Sequence, residues 1–153
     1  MRANISIEGL SSEELLEDWA WLLRRTFTLI ALNNFGDMFL RDEGGEVHFL
    51  ELAAGQVTTI AGSMEEFHRL STDKNNQARW FLLGLLTELE RAGITITKGQ
   101  CFGFKKPPVL GGKIELSNIE ITQLSVYTSL MGQIHQQVRN LPLGTKIKEI
   151  KIE

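Results

Sequence analysis

Three histidines, one cysteine and a glycine-rich run are the residues of this chain whose types could carry chemistry. No two of His48, His68 and His135 have the three- or four-residue spacing that puts both imidazoles on one face of a zinc-binding helix. A lone cysteine, Cys101, cannot build a thiolate-rich structural zinc site. Gly111-Gly112-Lys113 has the ending of a phosphate loop, but Ile114 stands where a metal-binding hydroxyl is needed and Pro107 takes the place of the first glycine. Gly99 to Gly103 lacks the middle glycine that lets a dinucleotide approach the backbone. No metal and no cofactor are therefore expected.

Nucleophilic and acid–base chemistry fare no better. Cys101 could act with His135 as its base, yet it sits in an aromatic run where a single cysteine reads as a small core residue. Glu65-Glu66 fits a helix cap, and Glu88 with Glu90 fits a solvated helix face. The interleaving of Phe102 and Phe104 with Lys105 and Lys106 offers rings and charge for a nucleic acid, but four residues on an acidic chain are better read as an inward-packing strand and a basic turn. No catalytic residue is assigned. His135 lies beside an apolar stripe and reads as a hydrogen-bonded structural histidine. Trp21 falls off its helix's apolar stripe and is the strongest interface candidate among the three tryptophans.

The elements that position these residues follow from periodicity. Ser11 and Glu14 form a capping box for a helix carrying Leu15, Leu16, Trp19, Leu22 and Leu23 and ending near Arg24-Arg25. The period then falls to two, predicting an antiparallel meander of strands Thr28–Leu32, Asp37–Arg41, Glu46–Leu52 and Gln56–Ile60. Ser63 and Glu66 cap a short helix. A longer one follows Thr72-Asp73, with Ala78, Phe81, Leu82, Leu85, Leu89 and Ala92 as its buried stripe and Gly93 closing it. Ile94 to Lys113, with Pro107-Pro108, predicts an ordered Gly/Pro-rich loop around one short strand, and Asn118–Thr122 a further strand. Leu124 to Leu141 is a helix ended by Pro142 and Gly144. The expected class is α+β, in one domain over residues 1–153, with residues 1–10 as a frayed N-terminus and 145–153 as a tail or edge strand.

A formal charge of −3, from 16 basic and 19 acidic side chains, gives no general attraction to nucleic acid or anionic lipid. Arg2 is followed by a mixed segment, Ala3 to Leu10, without the apolar run of an export signal, and no stretch has the length of a membrane span. With no disulfide possible, the cytoplasm is the expected compartment and another protein the expected partner, with no direct nucleic acid and no membrane. Oligomeric state is left open.

Four segments together carry a more specific signal: Phe35-Gly36-Asp37-Met38-Phe39-Leu40-Arg41-Asp42, Gly99-Gln100-Cys101-Phe102-Gly103-Phe104-Lys105, Pro107-Pro108-Val109-Leu110-Gly111-Gly112, and Gly132-Gln133-Ile134-His135-Gln136-Gln137-Val138. Their order and spacing, from about Leu15 to Thr145, resemble the C-terminal domain family of type VI secretion immunity proteins that protect against a DNase toxin. The resemblance implies a non-enzymatic protein that neutralises a cognate toxin, a nuclease, in a stoichiometric complex. Alternatives are a general interaction module of the same fold, or a small hydrolase with His135 lining a cleft beside a carboxylate. In the motifs, Gly36, Gly99, Cys101, Pro107, Pro108, Gly111, Gly112 and Gly132 read as structural. Asp37, Arg41, Asp42, Lys105, Tyr127 and His135 join Trp21 as candidate partner-binding residues; the family pattern commonly has histidine where this chain has Tyr127.

Overall fold

The computed structural model describes residues 4–153. Its centre is a five-stranded antiparallel sheet in simple sequential order, made of β1 (Asn4–Ile5), β2 (Phe27–Asn33), β3 (Met38–Asp42), β4 (Val47–Glu51) and β5 (Gln56–Ala61). Helices α1 (Ser12–Leu16), α2 (Met64–Leu70), α3 (Lys74–Trp80), α4 (Leu83–Arg91) and α5 (Leu124–Val138) surround it, and β6 (Gln100–Phe104) pairs with β7 (Ile119–Gln123) in a separate two-stranded sheet. The class is α+β, and the four meander strands lie within one or two residues of their expected bounds. Short turns between β-patterned segments leave adjacent antiparallel pairing as the simplest outcome.

Register explains the long apolar runs of the central strands. Met38 pairs with Leu50 and Leu40 with His48, while Phe39 pairs with Phe49 one residue out of phase. Met38, Leu40 and Leu50 turn toward α1 and α5, joining Trp19, Leu124, Tyr127, Met131 and Ile134 in the largest apolar cluster. Phe39 and Phe49 turn to the opposite face, where Trp80 of α3 and Phe67 of α2 cover them. Both faces are thus buried, which removes the polar alternation a one-sided sheet would show. A third cluster, Phe35, Leu86, Leu89, Phe102, Phe104 and Ile119, joins α4 to the two-stranded sheet.

Three expectations are corrected. The first helix stops at Leu16 and tightens into a 3-10 turn at Glu17–Trp19 rather than running to Arg24-Arg25. An α-helix would set residues two apart on nearly opposite faces. The tightened backbone instead lets both Trp19 and Trp21 face α5, their Nε1 atoms donating to the carbonyls of Thr128 (2.9 Å) and Gly132 (3.1 Å). Trp21 is accordingly half-buried and stacked on Trp19, not off the packed side.

The long helix after Asp73 is two helices, broken where Leu82 takes a left-handed φ of 50°. Its halves serve different clusters, Trp80 on the sheet and Leu86 with Leu89 on the two-stranded sheet, so no straight stripe could satisfy both. Asn33 fixes the break by donating from Nδ2 to the terminal Trp80 carbonyl at 2.9 Å. Ala78 and Ala92, placed in the stripe from sequence, are exposed.

Residues 4–5 are not frayed, because Asn4 and Ile5 pair with Asn33 and Leu32, and a turn follows in which Leu10 N donates to the Ile7 carbonyl; the part of that expectation on residues 1–3 lies outside the described residues. Of the two alternatives for residues 145–153, a tail or an edge strand, the structure has the tail, which forms no strand in either sheet.

Candidate functional site

Two polar clusters rise from the meander, each containing a carboxylate and a histidine. The inner one begins at Asn33, the last residue of β2. Its Oδ1 accepts from the backbone N–H groups of Phe35 (2.9 Å) and Asp37 (3.0 Å), and its Nδ2 also donates to Asp37 Oδ2 (2.9 Å). The other Asp37 oxygen accepts from Leu52 N at 2.8 Å, and the Leu52 carbonyl accepts in turn from His135 Nε2 at 2.8 Å. The β2–β3 turn, the end of β4 and α5 are thus joined through the backbone of one residue, Leu52. Burial pushes the Asp37 carboxyl up to about 6 against the opposing pull of its Asn33 and Leu52 hydrogen bonds. Burial also lowers His135, keeping a neutral imidazole that donates to a carbonyl.

The motif residues around this cluster are placed by close approach. An added Cβ at Gly36, whose φ is +84°, would meet Leu52 Cδ1 at 2.9 Å; one at Gly132 would meet the Asp18 carbonyl at 2.5 Å. Gly132 is what lets the Asp18–Trp21 segment lie directly on α5. Cys101 is fully buried against this cluster, and desolvation pushes its thiol up to about 12, the setting of an inert core residue. Tyr127 is buried too; its hydroxyl accepts from Phe104 N at 3.3 Å, and desolvation raises it well above the ordinary phenol range. Pro107 is buried, Pro108 opens a short 3-10 turn, and Gly111 closes it in the left-handed region. Gly112 lies beside the Lys106 carbonyl, and the Gly99 carbonyl accepts from Leu124 N at the start of α5.

The outer cluster lies at the far end of the β3–β4 hairpin. Asp42 Oδ2 meets His48 Nε2 at 2.8 Å and Arg25 Nη1 at 3.3 Å, while His48 Nδ1 meets Thr59 Oγ1 at 3.0 Å. The hydrogen bond from His48, and then that of Glu46 N, hold the Asp42 carboxyl below its ordinary range, with the Arg25 charge adding to them. An Asp–His–Thr order has the composition of a hydrolytic relay, but both imidazole nitrogens are engaged inside the chain and the ring is buried under Phe27. The shallow depression of about 590 Å³ nearby is lined by Thr26, Thr28, Arg41, Asp42 and the Glu43–Gly45 turn, and opens on neither His48 nor Thr59.

The structure therefore divides the seven candidate partner-binding residues. Asp37, Tyr127 and His135 come together in the interior with their hydrogen bonds filled from within. His135 meets no carboxylate directly, which counts against the hydrolase alternative. Arg41 and Lys105 are exposed, Asp42 reaches the surface through Arg25, and the half-buried Trp21 ring carries the Arg139 guanidinium at 5.4 Å. Sequence reasoning missed Asn33, His48 and Thr59. His48 was accessible in principle, since the hairpin register makes Asp42 its diagonal same-face neighbour.

A second cleft, of about 730 Å³, separates the N-terminal segment from the loop before β6; Ile5, Leu10, Ile96 and Leu124 form its apolar walls, with Lys98 and Gly99 also lining it. Among the described residues there is no cluster of three metal-ligating side chains, and no helix is long and apolar enough to cross a membrane.

No curated protein matches the chain significantly. Residues 61–135, from the end of β5 to His135, match the family model described as T6SS immunity protein Tdi1, C-terminal, and over that span the chain is similar to this family of type VI secretion immunity proteins.

Proposed function

We propose that this protein is an intracellular, cytoplasmic immunity protein that neutralises a cognate nuclease toxin by forming a stoichiometric complex, without catalysis of its own. The family match over residues 61–135 carries the reading. Two physical features support it. Each histidine–carboxylate cluster is satisfied internally, so what the chain offers a partner is a preformed surface rather than a reactive group. Charge is also unevenly divided: residues 1–60 hold ten carboxylates against four basic side chains, whereas residues 61–153 hold nine against twelve. Glu8, Glu13, Glu14, Glu17, Glu43 and Glu46 of the acidic part are exposed. A nuclease presents a basic surface to its phosphodiester substrate, and an acidic inhibitor face accelerates docking on it. On this reading the chain folds as one unit, and Trp21, Arg41 and Lys105 are the candidate positions that remain open to a partner, with the buried Asp42 reaching it only through Arg25.

Titration against the toxin encoded beside this gene tests the proposal. The expected result is a 1:1 complex with loss of DNA cleavage. The triple change Glu13→Lys, Glu14→Lys and Glu17→Lys should slow association at least tenfold at low salt while dissociation changes little. Two folded proteins that fail to associate, or cleavage undiminished at saturation, would overturn it.

A further inference from the structure

The glutamines of the motif Gly132–Val138 are absorbed by neither cluster, yet two of them meet the tail in a regular way. Gln137 Nε2 donates to the Lys151 carbonyl at 2.6 Å, and Gln137 Oε1 accepts from Lys151 N at 3.0 Å. One turn earlier, Gln133 Nε2 donates to the Glu153 carbonyl at 3.0 Å, and its Oε1 accepts from Glu153 N at 2.7 Å. Each side-chain amide engages both backbone groups of one residue, as a neighbouring antiparallel strand would.

The geometry is commensurate. Residues four apart on a helix rise about 6 Å, and residues two apart on a strand rise about 6.6 Å, so α5 offers two amides at close to the strand repeat. Both glutamines are preset. The second Nε2 hydrogen of Gln137 goes to the Gln133 carbonyl, and that of Gln133 to Ser129 Oγ, which itself donates to Asp18 Oδ2. The intervening side chains obey strand alternation: Ile150 packs into the main core, and Ile152 lies in a shallow groove with Val126 and Leu130, itself 49% exposed.

We propose that this face of α5 is a binding site for an extended peptide strand, closed in cis by residues 145–153 and able to take a strand of another chain in their place. The occupant is defined by what the site reads: main-chain groups of two residues spaced by one, with an isoleucine-sized apolar side chain just before the first. Among the described residues nothing on the site reads Lys151 or Glu153 side chains, so it selects for extension and for the apolar anchor rather than for charge. The lead to the tail, residues 139–149, is exposed throughout, which leaves the strap tethered only by its last few residues.

The test uses a fluorescent peptide of residues 145–153 added to a chain ending at Gly144. Saturable binding is expected, weakened at least tenfold by N-methylation at Lys151 and Glu153, by Ile150→Asp in the peptide, or by Gln133→Ala with Gln137→Ala in the protein. Changing the peptide's Lys146 and Lys148 to Ala should leave binding within about twofold. Full-length protein should bind the peptide at least tenfold more weakly, because its own tail competes. No binding by a folded truncated chain, or equal binding of the N-methylated peptide, overturns the site. Should the truncated chain fail to fold, hydrogen exchange on the full chain decides. Amides of Lys151 and Glu153 must be protected, and the double glutamine variant must lose that protection while the β3 and β4 amides keep theirs; unchanged protection at 151 and 153 sinks the proposal.

Discussion

The inner and outer clusters pair the same residue types and reach opposite electrostatic results. In the inner one, Asp37 and His135 are separated by the backbone of Leu52, which receives His135 on its carbonyl and offers its N–H to Asp37. Neither charge meets an opposite one, so burial dominates, raising the acid and lowering the base. In the outer one, Asp42 touches His48 directly and Arg25 lies against the same oxygen, and the carboxyl is held in its ionised form. A backbone residue inserted between two titratable side chains replaces a direct acid–base contact with two neutral-favouring sites. The inner arrangement suits a fixed scaffold, and the outer one keeps a charged group at the edge of a surface depression.

The largest expected effect falls on the inner cluster. Asn33→Ala deprives two backbone N–H groups, the Trp80 carbonyl and Asp37 of their partner at once, all of them buried. At about 1–3 kcal/mol for each group left unsatisfied, partly relieved by relaxation, a loss of at least ~3 kcal/mol in chemical denaturation is expected. A loss below ~1 kcal/mol would show that the turn holds without its side-chain network.

Next in size is the pH dependence of that cluster. The folded Asp37 carboxyl, at about 6, takes up its proton more readily than the unfolded one, whose ordinary value is 3.8. Its contribution to stability is therefore complete below the unfolded value and is lost as pH rises through the folded one, a change of roughly 3 kcal/mol. Wild type minus Asp37→Asn, measured by urea titration from pH 4 to 7.5, should fall by that order; parallel profiles would remove the assignment. His135 has the opposite sign. Its depressed folded value gives stability present above about 6.5 and lost as pH falls below it, so His135→Gln should flatten the acid limb of the profile.

The difference between the clusters also marks how far the sequence could be read. The meander was legible because its strands are short, evenly punctuated and locally paired, and α5 because its apolar spacing is unbroken. The split after Trp80 was not, since Phe81, Leu82 and Leu85 fit one helical stripe equally well; only the demand of two separate apolar clusters breaks it. Among candidate sites, the motif glycines and prolines were legible as structural because their backbone roles are local. Asp37 and Tyr127 looked like surface residues because their partners, Leu52 and Phe104, are distant in sequence. The Gln133 and Gln137 ladder was hidden for the same reason, as glutamine on a helix ordinarily reads as solvated.

The outer cluster should yield smaller effects, which sharpens the contrast. His48→Gln removes the first cause of the low Asp42 value, and NMR titration of the Asp42 carboxyl should show it moving up toward the ordinary range while the Asp37 carboxyl stays near about 6. Arg25→Ala should do least. Its guanidinium is 60% exposed, so water screens it from Asp42 and replaces much of what the contact supplies. A drop in Tm under ~2 °C is expected, with a small upward movement of Asp42 in the same direction as for His48→Gln. A larger thermal loss for Arg25→Ala than for His48→Gln would mean that the surface cation, and not the buried imidazole, organises this end of the hairpin. The two clusters would then differ in which residue anchors them, and the insertion of a backbone residue between acid and base would no longer be the decisive difference.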